Sequence, residues 1–330
     1  MQKISAAEMV PRGPTKRYVL TGGTGFVGRR LEDHILARDP SAEVTAFGSE
    51  TDLTDWRAVT DRFERIAADG GCDHLVHLAA CLKPGGWLAE HPAEAYRVNM
   101  LINLNVFEAC RRWLPEAKLS SISSYAVYPS GSEPHSEAEA LMGLPEDGLF
   151  AYGHAKRSIL IAQEAYGNEH GLRSAAVVLP TVYGPRPGAG ETAHLIGALT
   201  GKFLRAVRDN ADSVTLWGDG RQVRDFLHID DAVAGIALAM ERQTSPLINL
   251  GSGAPTEIGD LARLIARMTG FAGRLEFDES RYAGEPVRRL DVSLARKELG
   301  WQAHVSLVDG VGRFVDWMRQ RVQDGVDGLD

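Results

Sequence analysis

The stretch Tyr18-Val-Leu-Thr-Gly-Gly-Thr-Gly-Phe-Val-Gly28 decides how the chain is organised. Its apolar first half predicts a buried strand, and Arg29 to Arg38 predicts the helix that follows. Two overlapping dinucleotide-binding patterns, G-x-x-G-x-x-G and G-x-G-x-x-G, fit at Gly22, Gly23, Gly25 and Gly28. Glycines there let backbone N–H groups approach a pyrophosphate at the positive end of the helix. Such turns also serve as plain connectors, and the strand and helix on either side favour a dinucleotide site.

Composition narrows the class of protein. The 330 residues suffice for one large α/β domain with an appended lobe. The fractions of 44% hydrophobic and 24% charged residues are typical of soluble proteins, and no apolar run approaches the ~20 residues that span a bilayer. The net charge of −8 argues against nucleic acid as the main partner. Cys72, Cys81 and Cys110 lack metal-ligand spacing, which indicates free thiols and no metal site. We expect a cytoplasmic protein in which residues 1–17 form a flexible arm without a signal peptide.

The second predicted strand, Glu43 to Phe47, bears on the choice of cofactor. In a dinucleotide-binding fold, the residues after this strand contact the adenosine ribose. Gly48 and Ser49 supply no carboxylate that would hydrogen-bond a free diol and repel a 2′-phosphate. The pattern therefore favours NADPH, with NADH as the alternative, and Arg29 or Arg30 is the candidate to reach the phosphate.

Two further segments complete the predicted cofactor edge. The segment Asp52-Leu53-Thr54-Asp55 has two open interpretations, a helix N-cap for residues 56–68 and a contact from Asp52 to the adenine amino group. His74 to Ala80 predicts a buried parallel strand. The small Ala79 and Ala80 at its end would let a cofactor lie close to the backbone.

The middle of the chain adds polar groups in unusual places. A helix over residues 93–112 contains three asparagines that need a structural reason, Asn99, Asn103 and Asn105. Residues 119–124 predict a strand that ends in the hydroxyl of Ser124. The polar stretch that follows, up to Gly148, predicts a loop.

Tyr152 and Lys156 open the next predicted helix, and their spacing of four places both on one face. An ammonium beside a phenol is expected to lower a pKa that starts near ~10, which makes the phenol a usable acid. Taken alone, Y-x-x-x-K is common as a surface pair. Here Ser124 and the glycine turn precede it, in the order that brings hydroxyl, acid and nucleotide to one sheet edge.

Together these motifs resemble the extended short-chain dehydrogenase/reductases over nearly the whole chain. The resemblance rests on the glycine turn and on Asp52-Leu53, His77-Leu-Ala-Ala80, Asn99, Ser124, Tyr152-x-x-x-Lys156, Tyr183-Gly-Pro185 and Arg224-Asp-Phe226. It implies an α/β fold, a Rossmann-type doubly wound parallel sheet with a smaller C-terminal α/β substrate-binding lobe. The implied division gives residues 18–185 and 225–252 to the NAD(P)-binding domain, and 186–224 and 253–330 to a nucleotide-sugar-binding lobe.

The resemblance also implies the site residues. The implied catalytic group is Ser124, Tyr152, Lys156 and His194. The implied cofactor contacts are Gly22, Gly25, Phe26, Val27, Gly28, Ser49, Asp52, Leu53, Leu78, Ala79, Ala80, Asn99, Tyr152 and Lys156. The implied substrate contacts are Tyr125, Arg224 and Arg288, although each arginine, Arg288 above all, also fits a solvated surface charge. Trp301 is expected in the core. A homodimer through helices 93–112 and 152–167 is implied as well.

Within the family, the chain looks closest to enzymes that both epimerise and reduce a GDP-4-keto-6-deoxyhexose, with three departures. Ala126 stands where those enzymes have a cysteine base, and an alanine cannot take a proton. Thr24 replaces an NADP-contacting arginine, and an asparagine usual before Tyr183 is missing. Cys81 is conceivable as a substitute base, although a structural thiol is the simpler interpretation.

The preferred function is NADPH-dependent reduction of the C4 ketone of a nucleotide-diphospho-4-keto-6-deoxyhexose, in deoxysugar biosynthesis. The alternatives are a bifunctional 3,5-epimerase/4-reductase and a nucleotide-sugar 4-epimerase that retains NAD. A non-enzymatic NADP-sensing module needs the glycine turn alone, so an intact Ser124, Tyr152 and Lys156 counts against it.

Overall fold

The computed structural model describes residues 15–83, 86–131, 134–185, 195–280 and 285–323. Its strands are β1 (Arg17–Thr21), β2 (Glu43–Phe47), β3 (His74–His77), β4 (Lys118–Ser124), β5 (Ser174–Leu179), β6 (Thr181–Tyr183), β7 (Ser213–Trp217), β8 (Val223–Arg224), β9 (Phe226–His228), β10 (Leu247–Asn249), β11 (Thr256–Glu257) and β12 (Arg274–Asp278). A six-stranded parallel sheet has the order β10-β5-β4-β3-β1-β2. The predicted doubly wound Rossmann-type sheet is therefore confirmed.

The sheet reverses its strand order at β1, and this reversal positions the site. β2 pairs on one side of β1 and β3 on the other, with Thr21 in register with both Phe47 and His77. Val19 and Leu20 are buried, as expected for a central strand covered on both faces. The carboxyl ends of these strands form the crevice in which open α/β sheets bind their ligands.

Helices cover both faces of the sheet. They are α1 (Phe26–Arg38), α2 (Trp56–Ala68), α3 (Trp87–Glu90), α4 (Pro92–Trp113), α5 (Phe150–His170), α6 (Leu195–Arg208), α7 (Ile229–Arg242), α8 (Ile258–Thr269), α9 (Ser293–Leu299) and α10 (Leu307–Gln323). α2, α4 and α5 share one hydrophobic core, and α1, α7 and α9 share a second on the other face. None of the helices described is both long enough and apolar enough to cross a bilayer.

A third hydrophobic core belongs to the C-terminal part of the chain. α6, α8 and α10 contribute Phe203, Leu261 and Val311 to it, each fully buried. Three two-stranded sheets accompany it, formed by β6 with β9, β7 with β12, and β8 with β11. The division of the chain at residues 185, 225 and 252 stays a prediction.

Several predicted boundaries move by a few residues. Arg17, predicted to end the N-terminal arm, is the first residue of β1. α1 begins at Phe26 instead of Arg29, because Gly25 is its N-cap. Trp301 is 4% exposed and packs in the core shared by α1, α7 and α9, as expected.

Candidate active site

The glycine turn lies against the ends of β2 and β3, and its close contacts explain the glycines. Gly22 has a φ of +67°, and a Cβ on it would lie 2.8 Å from Ala79 Cα. A Cβ on Gly28 would lie 2.5 Å from the Gly22 carbonyl oxygen. No side chain caps the start of α1 at Gly25. This backbone cradle fits the pyrophosphate of a dinucleotide, because a side chain would fill it and the helix N-terminus favours an anion.

A cavity of about 440 Å³ extends from the glycine turn to the end of β4. Many predicted residues line it, namely Gly22, Gly25, Phe26, Val27, Gly28, Leu78, Ala80, Ser124, Tyr125, Tyr152, Arg224 and Arg288. Leu82, Leu88 and Leu149 add an apolar wall that the sequence did not single out. Other predicted residues lie outside the lining, namely Ser49, Asp52, Leu53, Ala79, Asn99 and Lys156. His194 lies outside the described residues.

Ser124, Tyr152 and Lys156 are brought together by β4 and α5. The Ser124 side chain lies close enough to the Tyr152 phenol to act on its pKa, and Tyr152 is 6% exposed. The Lys156 ammonium donates to the Ile122 carbonyl at 3.0 Å and lies 5.9 Å from the Tyr152 ring centroid. The order of groups expected from the sequence is therefore present in space.

The electrostatics of this group differ from the expectation. Burial raises the pKa of Tyr152, against the lowering effect of the neighbouring Ser124 side chain. Burial also lowers the pKa of Lys156 to about 8. The expectation that Lys156 would give Tyr152 a lowered pKa is therefore wrong. Burial disfavours the charged phenolate, and the Lys156 ammonium donates to the Ile122 carbonyl instead of to the phenol. Tyr152 is held protonated, which is the state that a proton donor needs.

A buried polar chain beneath the site supports α5. His77 is 1% exposed, and its Nδ1 lies 2.8 Å from Thr21 Oγ1. His77 Nε2 lies 3.1 Å from Asn103 Oδ1, and Asn103 Nδ2 donates to the Ala155 carbonyl at 2.8 Å. Because the Asn103 amide donates to Ala155, its oxygen faces His77, so Nε2 carries the proton. Burial, reinforced by the Lys156 charge, lowers the pKa of His77 to about 3 and keeps it neutral.

The asparagines of α4 now have their structural reason. Asn99 accepts from the Cys81 N–H at 2.9 Å and donates to the carbonyls of Cys81 and Ala95, at 3.0 and 2.8 Å. Asn105 donates to the Leu53 carbonyl at 2.9 Å. Asn99 thus fixes the segment after β3, and its predicted contact with a cofactor stays a prediction.

The end of β2, where the adenosine ribose is expected, differs from the prediction that no carboxylate lies there. Both carboxylate oxygens of Glu50 accept from the Gly48 N–H, at 2.9 and 3.0 Å, so a carboxylate does lie at the end of β2. Of the two candidate arginines, Arg30 pairs with Asp230 at 2.7 Å. Arg29 donates through Nε to the Thr24 carbonyl at 2.8 Å, and therefore lies against the glycine turn.

Asp52 forms a local turn, and Asp55 caps the helix that follows. The Asp52 carboxylate accepts from the Thr54 N–H at 2.8 Å and from the Thr54 hydroxyl at 2.7 Å, and these bonds lower its pKa. Asp55 is the N-cap of α2 and accepts from the Arg57 N–H at 2.9 Å. Of the two residues, Asp55 is therefore the cap, and the adenine contact of Asp52 stays a prediction.

Two arginines, Arg224 and Arg288, line the cavity in addition to Lys83. Arg288 forms an ion pair with Glu146, which is 6% exposed, and its guanidinium lies 5.9 Å from the Tyr125 ring centroid. Arg224 is 9% exposed and donates to the Val223 carbonyl at 2.9 Å. The sequence left open that each arginine is a solvated surface charge, and the structure shows that neither of them is. Sequence spacing could not reveal Glu146 as a partner, because 142 residues separate it from Arg288.

Ala126 stands at the position where the resemblance implies a catalytic base. Ala126 is 4% exposed, lines the cavity, and follows Ser124 in a short 3₁₀ turn. Burial raises the pKa of Cys81, which disfavours the thiolate that a substitute base would need. Within the described ranges, no group of three His, Cys, Asp or Glu residues is arranged to hold a metal ion.

A parallel sheet with a glycine turn at its switch point, and a Ser, Tyr and Lys group beside it, defines a dinucleotide-dependent enzyme of the short-chain dehydrogenase/reductase type. The model of the NAD dependent epimerase/dehydratase family matches residues 18–251, and the chain belongs to this family. It is therefore an NAD(P)-dependent enzyme, and the predicted family is confirmed.

Individual relatives cover almost the whole chain. The GDP-L-fucose synthase of Escherichia coli (strain K12) is 32% identical over 316 residues, which cover 92% of this chain and 96% of that protein. A GDP-6-OMe-4-keto-L-xylo-heptose reductase from C. jejuni has a similar fold, with a TM-score of 0.82, 22% identity and coverage of 94% and 99%. MlghC, a GDP-mannoheptose C4 reductase from Campylobacter jejuni with NADP bound, also has a similar fold. Its TM-score is 0.80 at 24% identity, and the match covers 93% of this chain and 99% of that chain. At these identities, the two structures show the fold alone.

Proposed function

We propose that the protein reduces the C4 ketone of a nucleotide-diphospho-4-keto-6-deoxyhexose, with NADPH as the reductant. The observation that carries the proposal is that Ser124 and Tyr152 line the same cavity, which opens onto the glycine turn. The 32% identity to a GDP-L-fucose synthase over 92% of the chain supports a nucleotide sugar as the substrate.

Each residue then has a role that its surroundings support. Tyr152 would give its proton to the developing alkoxide at C4, and Ser124 would hydrogen-bond the same oxygen. Lys156, a buried ammonium with three donors, would hold the nicotinamide ribose next to them. A nicotinamide cofactor, when bound, supplies the hydride.

The two arginines of the cavity would bind the substrate diphosphate. Arg224 and Arg288 both line it, and guanidinium groups match phosphate oxygens in geometry and charge. Glu146 orients Arg288 through their ion pair. The apolar wall of Leu82, Leu88 and Leu149 would suit the methyl group of a 6-deoxyhexose.

We propose reduction without inversion at C3 or C5. Inversion next to the C4 ketone needs a base that removes a carbon-bound proton, and Ala126 lines the cavity at the position where the family resemblance implies that base. The experiment is turnover in D₂O with unlabelled NADPH, using GDP- and dTDP-linked 4-keto-6-deoxyhexoses, with the product analysed by NMR. We expect C3 and C5 to stay protiated. Deuterium at either carbon, beyond a control without enzyme, would contradict the proposal and indicate a bifunctional epimerase/reductase.

One observation favours a second candidate, a nucleotide-sugar 4-epimerase that retains NAD. The Glu50 carboxylate at the end of β2 is the kind of group that binds the free ribose diol of NAD. An epimerase re-reduces its own cofactor and does not need to release it, so the protein as purified would contain NAD. A reductase must exchange its cofactor and would oxidise added NADPH in proportion to product.

We also propose a homodimer through α4 and α5. Their outer faces expose large apolar side chains, among them Tyr96, Phe150 and Ile161 at 44, 45 and 58%. Light scattering of the intact chain should give twice the monomer mass, and Ile161→Asp should shift it towards the monomer. A monomeric wild type at micromolar concentration would refute this assembly.

A further inference from the structure

We infer that Asn249, which lies outside the lining of the cavity, is a positioning residue that fixes Arg288 relative to the turn after Ser124. The inference rests on the proposed function in one respect, that Arg288 binds the diphosphate of the substrate. Asn249 is the last residue of β10 and is fully buried. It acts through the chain segments that its amide holds together.

The hydrogen-bonding groups of the Asn249 side chain all have partners. The Tyr128 hydroxyl donates to Asn249 Oδ1 at 2.5 Å. Asn249 Nδ2 donates to the carbonyls of His135 and Asp291, at 3.0 and 3.1 Å. The backbone N–H of Asn249 donates to Glu137 Oε1 at 2.9 Å. Because a buried amide with all its bonds made permits one arrangement of its partners, Asn249 fixes three segments of the chain against one another.

One of these segments carries Arg288, and its backbone is held on both sides of that residue. The Asp291 N–H donates to the His135 carbonyl at 2.9 Å, three residues beyond Arg288. The Arg288 N–H donates to the Val223 carbonyl of β8, also at 2.9 Å. The Asn249 amide binds the carbonyls of both His135 and Asp291, so it joins the two segments that meet there. The backbone of Arg288 is therefore fixed between β8 and a bridge that Asn249 stabilises.

Aromatic rings connect this bridge to the turn after Ser124. The His135 ring is stacked on Tyr128, with centroids 4.9 Å apart and an interplanar angle of 4°. Tyr125, the residue after Ser124, packs edge-on against His135 at 5.4 Å. The Arg288 guanidinium lies 5.9 Å from the Tyr125 ring centroid. A shift of the bridge would therefore move Arg288 relative to Ser124, although the bridge itself touches neither ligand.

The Tyr128 hydroxyl and the two carbonyls together fix the orientation of the amide. The hydroxyl donates to Oδ1, which leaves Nδ2 to face the carbonyls of His135 and Asp291. Tyr128→Phe removes one of these contacts and keeps the ring that stacks on His135. It should therefore weaken the bridge in the same direction as loss of Asn249, and by less.

The experiment measures whether Asn249 acts through Arg288. The probes are NADP⁺ and a nucleoside diphosphate, GDP or dTDP, whichever binds the wild type more tightly. Isothermal titration calorimetry gives their dissociation constants for the wild type, Asn249→Ala, Arg288→Met and the double variant. We expect Asn249→Ala to weaken diphosphate binding about tenfold and to change NADP⁺ binding by less than about twofold. In the Arg288→Met background the same substitution should cost less than about twofold, because the group that it positions is gone.

Gln243 provides the matched control. It is 6% exposed, lies outside the lining of the cavity, and donates through Nε2 to the Ala176 and Ser245 carbonyls at 2.8 and 2.9 Å. Gln243→Ala should lower the midpoint of urea unfolding, as Asn249→Ala should, and leave both dissociation constants within about twofold. Tyr128→Phe takes the place of Asn249→Ala if the latter does not fold, with an expected loss of about threefold for the diphosphate.

The other outcomes overturn the inference in different ways. Unchanged diphosphate binding in Asn249→Ala, or in Tyr128→Phe where that variant replaces it, overturns the inference and leaves the proposed function intact. An equal loss in Gln243→Ala, or a tenfold loss that persists in the Arg288→Met background, also overturns it, because either result means a general effect on the fold. If the wild type binds NADP⁺ but neither diphosphate, the proposed nucleotide-sugar substrate fails together with the inference.

Discussion

Replacing Lys156 by Met should make the protein more stable while it loses function. Lys156 is 4% exposed, and burial lowers its pKa from an ordinary 10.5 to about 8. That difference means that the folded protein holds the charged form about 3 kcal/mol less favourably than the unfolded chain does. A methionine of similar length fills the space without a charge, so we expect a gain of up to about 3 kcal/mol at pH 7.

The pH dependence tests the cause of this gain. Between pH 8 and 10.5, the unfolded wild type binds more protons at this lysine than the folded protein, so wild-type stability rises with pH there. The advantage of Lys156→Met should therefore shrink by about 2 kcal/mol between pH 7 and 9.5. Urea unfolding at both pH values measures it, with the exposed Lys297→Met as the control that should change by less than about 0.5 kcal/mol. A variant less stable than wild type at pH 7, or a difference that does not vary with pH, would refute the reasoning.

Two other substitutions test the site directly. Tyr152→Phe should lower turnover by roughly 10²–10⁴ and leave the NADPH dissociation constant within a few-fold, because it removes only the acidic hydroxyl; near-normal turnover would exclude Tyr152 as the proton donor. Gly28→Ala should destabilise the protein in urea and weaken dinucleotide binding, because its Cβ would meet three backbone atoms at 2.5 Å. Gly312→Ala is the matched helical control, since its Cβ would meet only Met268 Cε at 3.9 Å, and it should stabilise by about 0.5–1 kcal/mol; equal effects of the two alanines would show that the close contacts do not matter.

The sequence predicted features that depend on spacing along the chain. The buried strand, glycine turn and helix follow from local pattern, and the parallel sheet follows from apolar runs. Tyr152 and Lys156 share a face because a helix repeats every 3.6 residues. Ser124 joins them because parallel strands end at one edge.

The sequence did not predict features that depend on side-chain orientation, tertiary contacts and burial. Glu50 reaches back across two residues to Gly48, which no strand-end pattern reveals. Arg288 meets Glu146 only after folding. The direction of the Tyr152 pKa shift was wrong because the spacing of two residues does not report how deeply they are buried.

Adjacent cations on α5 show how the fold accommodates the buried lysine. Arg157 donates to the carbonyls of Val127, Met142 and Gly143 at 2.7 to 2.8 Å, and so holds the loop beside the cavity in place. Lys156, within the described chain, donates to the Ile122 carbonyl alone. An ammonium has three donors, so Lys156 keeps capacity that a ribose hydroxyl can use, whereas each of the three guanidinium nitrogens of Arg157 already donates to a loop carbonyl. Lys156→Met should therefore stabilise the protein, because it removes a buried charge and only one hydrogen bond. Loss of Arg157, by contrast, would leave three loop carbonyls without their donor.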